Sequence, residues 1–364
     1  MPILALILFH IIFFWRLYTN PFKLCTSEVA STFFPHWIWM GRQLRQGIFP
    51  AVDDIYYKYP GSIPFLATFY PPNLITSWLG SFLSLDYALK LYVYTILAHY
   101  LLGSLFAYYL FGNLFAALTL TYSAYIIKPF TPCFVYTMCW IPLAMTGNWV
   151  GVTMAFLSGY YPILVYLLPI MLLTFPLQSI IGLVCASLQL IPFFHYFRRS
   201  VRNEAEIDKN IGKIPLKHML GLVFQVTSYN KVNGVLPNET SLYCGIAILL
   251  ISNNLIWSIL LICYILIATG LLPPIQRIPG RALYGVMFCI AMLTKYVNSV
   301  PLAIIQASLL MLNSHKSFMF PYMQWWDKPS VLYAKKPKSH NWPYITGYLL
   351  DKRISEYRGS FRLA

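Results

Sequence analysis

The stretch YALKLYVYTILAHYLLGSLFAYYLF at residues 87–111 decides the fold class. It carries one formal charge, Lys90, and is otherwise apolar or aromatic, with room for a helix crossing hydrocarbon, which needs about 20 such residues. Further along the chain the pattern persists. The next charge is Lys128, so from Tyr87 to Tyr196 there are two formal charges and no Asp or Glu. All eleven carboxylates fall within 28–86, 204–239 and 327–356. Charges are costly in hydrocarbon and are driven into the connecting loops. The whole chain is 58% hydrophobic and 10% charged, against roughly 25% charged for an ordinary soluble domain. The expected fold is all-α: a polytopic membrane helix bundle with about eight to ten transmembrane or re-entrant helices and a long first external loop.

Residues 3–18 read as an apolar helix without a basic leader or a small-residue cleavage site, hence as an uncleaved anchor. Residues 19–86 are too long for a simple connector and are rich in aromatics and proline. Their Trp37, Trp39, Phe65, Phe69 and Tyr70 predict short helices packed back on a membrane surface. Apolar segments follow near 87–111, 113–127, 131–146, 148–174 and 176–197. Several fall short of a full span and are punctuated by Gly112, Pro129, Pro132 and Gly159-Tyr160-Tyr161-Pro162, as broken elements are. A polar segment occupies 198–240, then 242–272 holds one long or two short spans and 282–312 another. The domain reading is a membrane domain over 1–312 and a basic aromatic tail over 313–364, with Trp325, Trp326 and Trp342 as interface anchors.

The net charge is +15, but the excess lies beside apolar segments, which argues for anionic lipid head groups and against nucleic acid. Arg198, Arg199, Arg202, Lys209, Lys213, Lys217 and Lys231 crowd one segment, either as topology determinants or as phosphate ligands. The seven cysteines show no CxxC spacing and no nearby His pair, so they read as small core residues.

Soluble-enzyme signatures such as GxGxxG, P-loop, HExxH and GxSxG are absent. General acid–base chemistry needs a placed carboxylate or histidine. With no carboxylate inside the apolar segments, such a site belongs at a membrane face, and the first loop offers Glu28, directly after the first helix, then Asp53 and Asp54. Glu28 is either a base or divalent-ion ligand, or a solvated loop residue. His99, alone on an apolar helix, is either a core histidine with satisfied bonds or a site residue. Arg277 and Arg281 flank Pro279-Gly280, where snorkelling would account for them.

The text LRQGIFP (44–50) followed by GSIPFLATFYPPNLI (61–75) resembles the first loop of bacterial YfhO-type membrane proteins, members of the GT-C superfamily of polyprenyl-phosphate-sugar-dependent glycosyltransferases. The likeness continues, in order, through His99 in ILAHYLLGSLFAYYLF, AALTLTYSAYI (116–126) and IPL (141–143). It runs on through GYYP (159–162), LQLIPFFHYFRRSVR (188–202), ETSLYCGIAILLI (239–251) and RIPGRAL (277–283). Where that family usually carries an Asp in the first external loop, this chain has Glu28, and its tail is shorter than the family's.

The resemblance implies transfer of a sugar from a polyprenyl-phosphate donor to a cell-envelope polymer or lipid acceptor. The site would lie on the outer face of the bacterial cytoplasmic membrane. It implies Glu28 as the catalytic carboxylate with Asp53 and Asp54 as fallbacks, Arg198, Arg199 and Arg202 on the donor phosphate, and a divalent ion, Mg or Mn, as a possible cofactor. It also puts the segment after RRSVR outside, whereas the positive-inside rule puts it inside. Two other functions compete: a catalytically degenerate scaffold of the same family, and a transporter or lipid flippase, which would call for internal repeats or midplane charges.

Overall fold

The computed structural model describes residues 2–21, 33–50, 67–123, 132–199, 213–224, 243–273 and 279–317. Among these the chain is all-α, with no strand. The segment 85–111 forms one unbroken helix, α5 (Leu85–Phe111), about 40 Å long at about 1.5 Å per residue. Asp86 sits in its first turn, where a negative charge faces the positive end of the helix dipole. Gly112 ends it in the left-handed region at φ 64°, donating to the Tyr108 carbonyl.

Ahead of α5 come α1 (Pro2–Phe13), α2 (Trp15–Thr19), α3 (Phe34–Arg45) and α4 (Pro71–Gly80). The described parts of the first loop are therefore helical, and α3 and α4 pack on each other and on α5. The α3–α4 approach is close enough that a Cβ on Gly41 would meet the Ser77 carbonyl oxygen at 2.0 Å.

After α5 the expected spans break into shorter helices. They are α6 (Leu114–Tyr122), α7 (Pro132–Ala144), α8 (Trp149–Leu157), α9 (Tyr161–Thr174), α10 (Pro176–Cys185) and α11 (Ser187–Arg199). Three more follow, α12 (Leu255–Thr269), α13 (Leu283–Leu293) and α14 (Val300–Ser317). The segment expected over 148–174 divides at Ser158–Tyr160, and 282–312 divides before Val300. Among the described residues α5 is the one helix long and apolar enough to cross a membrane. Pro176–Cys185 and Ser187–Phe194 pass the same test only as a pair, bent by 72°.

Chain chemistry sets the breaks. Gly-Asn occurs at 112–113 and 147–148. In both places the glycine has positive φ and the asparagine caps the next helix. Asn113 Oδ1 accepts from the backbone N–H groups of Phe115 and Ala116 at 2.6 and 3.2 Å. Its Nδ2 donates to the carbonyls of Lys295 and Val297 at 3.0 and 2.7 Å. One buried side chain thus starts α6 and ties down the turn between α13 and α14.

The centre consists of helices apolar on every side, which stay so only when enclosed. All of α6 except Leu114 is buried, and all of α13 except Met292. α6 packs against α5, α13 and α14, while α7 lies between α5 and α8. Gly103 lets α7 approach α5, since a Cβ there would stand 3.2 Å from Cys139 Cα.

Gln306 of α14 is buried and fully engaged. Its Oε1 accepts from Ile246 N at 3.0 Å, and its Nε2 donates to the Cys244 carbonyl at 2.7 Å and to Thr119 Oγ1 at 3.1 Å. Replacing it with Leu strands these groups, each at about 1–3 kcal/mol. Thermal unfolding of the purified Gln306→Leu chain should show a clearly lower midpoint. An unchanged midpoint would mean that this side chain does not hold the 244–246 segment on α6.

Candidate functional site around the first turns of α7 and α9

The FYPPN turn at 69–73 begins the site. A residue before proline is pushed toward extended backbone, and Tyr70, ahead of Pro71-Pro72, takes φ −78°, ψ 112° as the cap of α4. Upstream, Ala67 sits at φ 55°, a region uncommon for residues other than glycine. Asn73 Nδ2 donates to its carbonyl at 3.1 Å and fixes the turn. This geometry sends the Tyr70 ring into the protein, where it is fully buried.

There Tyr70 lies between two partners. Trp140 Nε1–H donates to its hydroxyl at 2.5 Å, and that hydroxyl lies 2.7 Å from His99 Nε2. His99 Nδ1 lies 2.6 Å from the Thr95 carbonyl. A carbonyl can only accept, so Nδ1 carries the proton and Nε2 of the neutral ring accepts from Tyr70. Every bond in this Trp140–Tyr70–His99–Thr95 relay is thus made with all members neutral. Tyr136 stacks on Tyr70 at 5.2 Å between centroids and lies 4.4 Å from the His99 ring.

Tyr136 also joins the relay to a small cleft lined by Phe33, His36, Trp37, Asn73, Tyr92 and Cys133. Trp37 Nε1 and the Tyr136 hydroxyl are buried without a hydrogen-bond partner among the described residues. Buried polar groups left in that state are costly. The cleft is small, and Phe33, Trp37 and Tyr92 form its aromatic walls.

Distant segments converge beside it. Gln189 Oε1 of α11 accepts from the backbone N–H of Phe69 at 3.2 Å. The Tyr161 and Phe193 rings lie 4.2 Å apart, bringing α11 against the start of α9. Tyr160 N donates to Thr137 Oγ1 at 3.2 Å, and its ring meets Phe134 edge-on at 5.3 Å. Arg281, on the 3-10 turn Pro279–Ala282, has its guanidinium 5.7 Å from the centroid of the Tyr160 ring. The FYPPN, GYYP and LQLIPFF texts thus meet, with Arg281, around the first turns of α7 and α9.

Of the site residues expected from sequence, His99 stands in the relay with both ring nitrogens engaged. Arg198 and Arg199 fall in the last turn of α11. Glu28, Asp53, Asp54 and Arg202 lie outside the described residues. The donor set for a divalent ion is not found among the described residues, which contain no cluster of three or more His, Cys, Asp or Glu groups and hold Asp86 as their one carboxylate. The six described cysteines are free thiols. Sequence reasoning took Tyr70 for an aromatic of a surface-packed loop, whereas it is fully buried, and it missed Trp140 and Gln189. The double proline after Tyr70 was the available signal for its burial, and a lone Gln in an apolar helix for Gln189.

Tyr70→Phe leaves His99 Nε2 and the Trp140 indole N–H unpaired and should lower stability by about 1–3 kcal/mol. Combined with Trp140→Phe in a double-mutant cycle read by thermal unfolding, the pair should couple by about 0.5–3 kcal/mol. Strict additivity would mean that the relay is no unit.

Comparison with protein-family models, with curated proteins and with solved structures finds no match to this chain.

Proposed function

We propose that this chain is a polytopic membrane glycosyltransferase that moves a sugar from a polyprenyl-phosphate donor to a hydroxyl of an envelope polymer or lipid acceptor. Its outward surface supports the membrane part. Leu4, Leu8 and Ile11 on α1, Leu177, Ile180 and Val184 on α10, Leu255, Ile256 and Ile259 on α12, and Val300 and Ile304 on α14 are all exposed. Large apolar side chains exposed on so many helices suit a lipid surround. The interior meanwhile holds the polar groups: His10, His99, Asn113, Gln189 and Gln306 are buried. Helices too short to span are tolerated at membrane depth when enclosed by protein, as α6, α7 and α13 are.

One observation carries the glycosyltransferase reading. Several of the separate stretches that resemble the GT-C family, those of FYPPN, His99, GYYP and LQLIPFF with Arg281, come together beside a cleft with aromatic walls. Phe33, five residues after Glu28, lines that cleft, and five residues of chain reach at most about 18 Å. In the reaction, Glu28 takes the acceptor hydroxyl proton as the acceptor oxygen bonds to the sugar C1. The C1–O bond to phosphate breaks, and polyprenyl phosphate leaves with the electron pair. Arg198, Arg199 and Arg202 would meet the donor phosphate charge.

A positioned general base contributes about 10²–10⁴-fold. Glu28→Gln should lose sugar transfer on that scale at matched expression, with purified chain and polyprenyl-phosphate donors. Equal rates would clear Glu28 and turn attention to Asp53 and Asp54. No transfer by the wild type across a panel of donors and acceptors would overturn the enzyme reading in favour of a scaffold.

A further inference from the structure

α10 and α11 share one apolar surface but not one axis. Pro176–Cys185 and Ser187–Phe194 are bent by 72° at the single residue Ala186 between them. Leu177, Ile180, Ile181 and Val184 are exposed along α10, and Leu188, Ile191 and Phe194 along α11. The exposed apolar face therefore runs on around the corner.

The corner is held from inside. Positions 189 and 193 stand four apart, on one side of α11. Gln189 Oε1 accepts from the Phe69 N–H at 3.2 Å, and the Phe193 ring lies 4.2 Å from that of Tyr161. Leu188, Ile191 and Phe194 follow one another at intervals of three on the other side, with Leu188 and Ile191 both 68% exposed. α11 is thus two-sided: one face is bonded to the FYPPN turn and to α9, and the other is apolar and outward. Its sequence, SLQLIPFFHYFRR, ends in Arg198 and Arg199 and contains no acidic residue. An apolar face on a helix with cations is how a helix lies in the boundary between lipid head groups and acyl chains. The corner also decides the occupant. A partner protein would need a surface matched to both limbs of a 72° bend, whereas lipid fits round it without one.

We propose that α11 is an in-plane interfacial helix, with Leu188, Ile191 and Phe194 set in the boundary between head groups and acyl chains, while α10 runs down through the acyl layer. Its partner is the lipid surface. The proposal rests on the membrane reading above and deepens it. With α11 lying flat, its last turn stands at the level of the lipid phosphates, where a lipid-linked donor carries its own.

The geometry gives depths to measure. At about 1.5 Å per residue, an upright α10 descends about 10 Å between Leu177 and Val184. From Leu188 to Phe194 a helix turned by 72° changes depth by about 3 Å, against about 9 Å for a straight continuation.

The experiment uses the full chain in nanodiscs of phosphatidylcholine and phosphatidylglycerol, with Cys25, Cys185 and Cys263 replaced by Ser. A bimane label is attached singly at Leu177→Cys, Ile180→Cys, Val184→Cys, Leu188→Cys, Ile191→Cys or Phe194→Cys, all at exposed positions. Depth is read from quenching by lipids carrying a nitroxide at the head group, high on the acyl chain or deep in it, with iodide as the aqueous quencher. The α10 labels should spread over about 10 Å. The three α11 labels should agree within about 3 Å and respond most to the head-group and high nitroxides. A gradient along α11 as steep as that along α10 overturns the proposal. So does quenching of the α11 labels by iodide alone, or their protection from both quenchers, which would put a second copy or another protein on that face. Quenched α10 labels beside α11 labels that lipid nitroxides do not reach sink the interfacial helix alone. If no lipid nitroxide reaches α10 either, the membrane reading falls with it.

Discussion

Every helix end leaves up to four backbone groups without partners inside the helix, and this constraint governs the whole interior. An apolar stretch broken into two short helices doubles its ends, and in a packed interior those groups need partners from the protein. The protein answers with single polar side chains, each serving several ends at once. Asn113 caps α6 and holds the carbonyls of the turn after α13. Gln306 closes Cys244 and Ile246 onto α6 through Thr119. Asn148 caps α8, and Ser252 reaches the last carbonyl of α13. The buried polar residues are therefore where short helices become affordable, and without them the breaks that shape the site would not persist.

The constraint explains what could be read from sequence. The all-α class and α5 were legible because a long apolar run with almost no charge is best served by a helix, which bonds its own backbone. Gly112 and the GYYP stretch were visible as breaks because glycine and proline restrict or free the backbone on their own. The Asn caps were harder to see. In a run apolar on every side there is no alternating face to mark a helix start, so the signal shrinks to one residue, as at Asn148. Gln306 was harder still, since its partners lie 60 or more positions away in the chain. His99 was noticed as the odd residue in its helix, but its partners Tyr70 and Trp140 were not, because the pairing is created by folding the FYPPN turn inward.

Breaking the helices has a further effect on the site. A bundle of full-length helices would present to any one point only neighbouring positions of a few segments. Here α7, α9 and α11 begin or end near the same level, so Phe69, Thr137, Tyr160, Phe193 and Arg281 meet although they span more than two hundred residues. Close packing at Gly41 and Gly103 draws α3 with α4, and α5 with α7, near enough for aromatic side chains to form continuous walls. Cleft and relay then share Tyr136, whose ring stacks on Tyr70.

The distribution of charge divides the labour. The relay from Trp140 to Thr95 is complete with neutral members, so it needs no counter-ion and can sit in the driest part of the fold. A group that must gain or lose a proton, or hold an anion, cannot be kept there without a large desolvation cost. Such groups belong at the edges, where the sequence places every carboxylate and nearly every cation. On the proposed reading the buried relay positions the FYPPN turn, while Glu28 and the arginines supply charge from the connecting segments. Arg281 is half-buried, with its Nε sealed and its guanidinium over the Tyr160 ring.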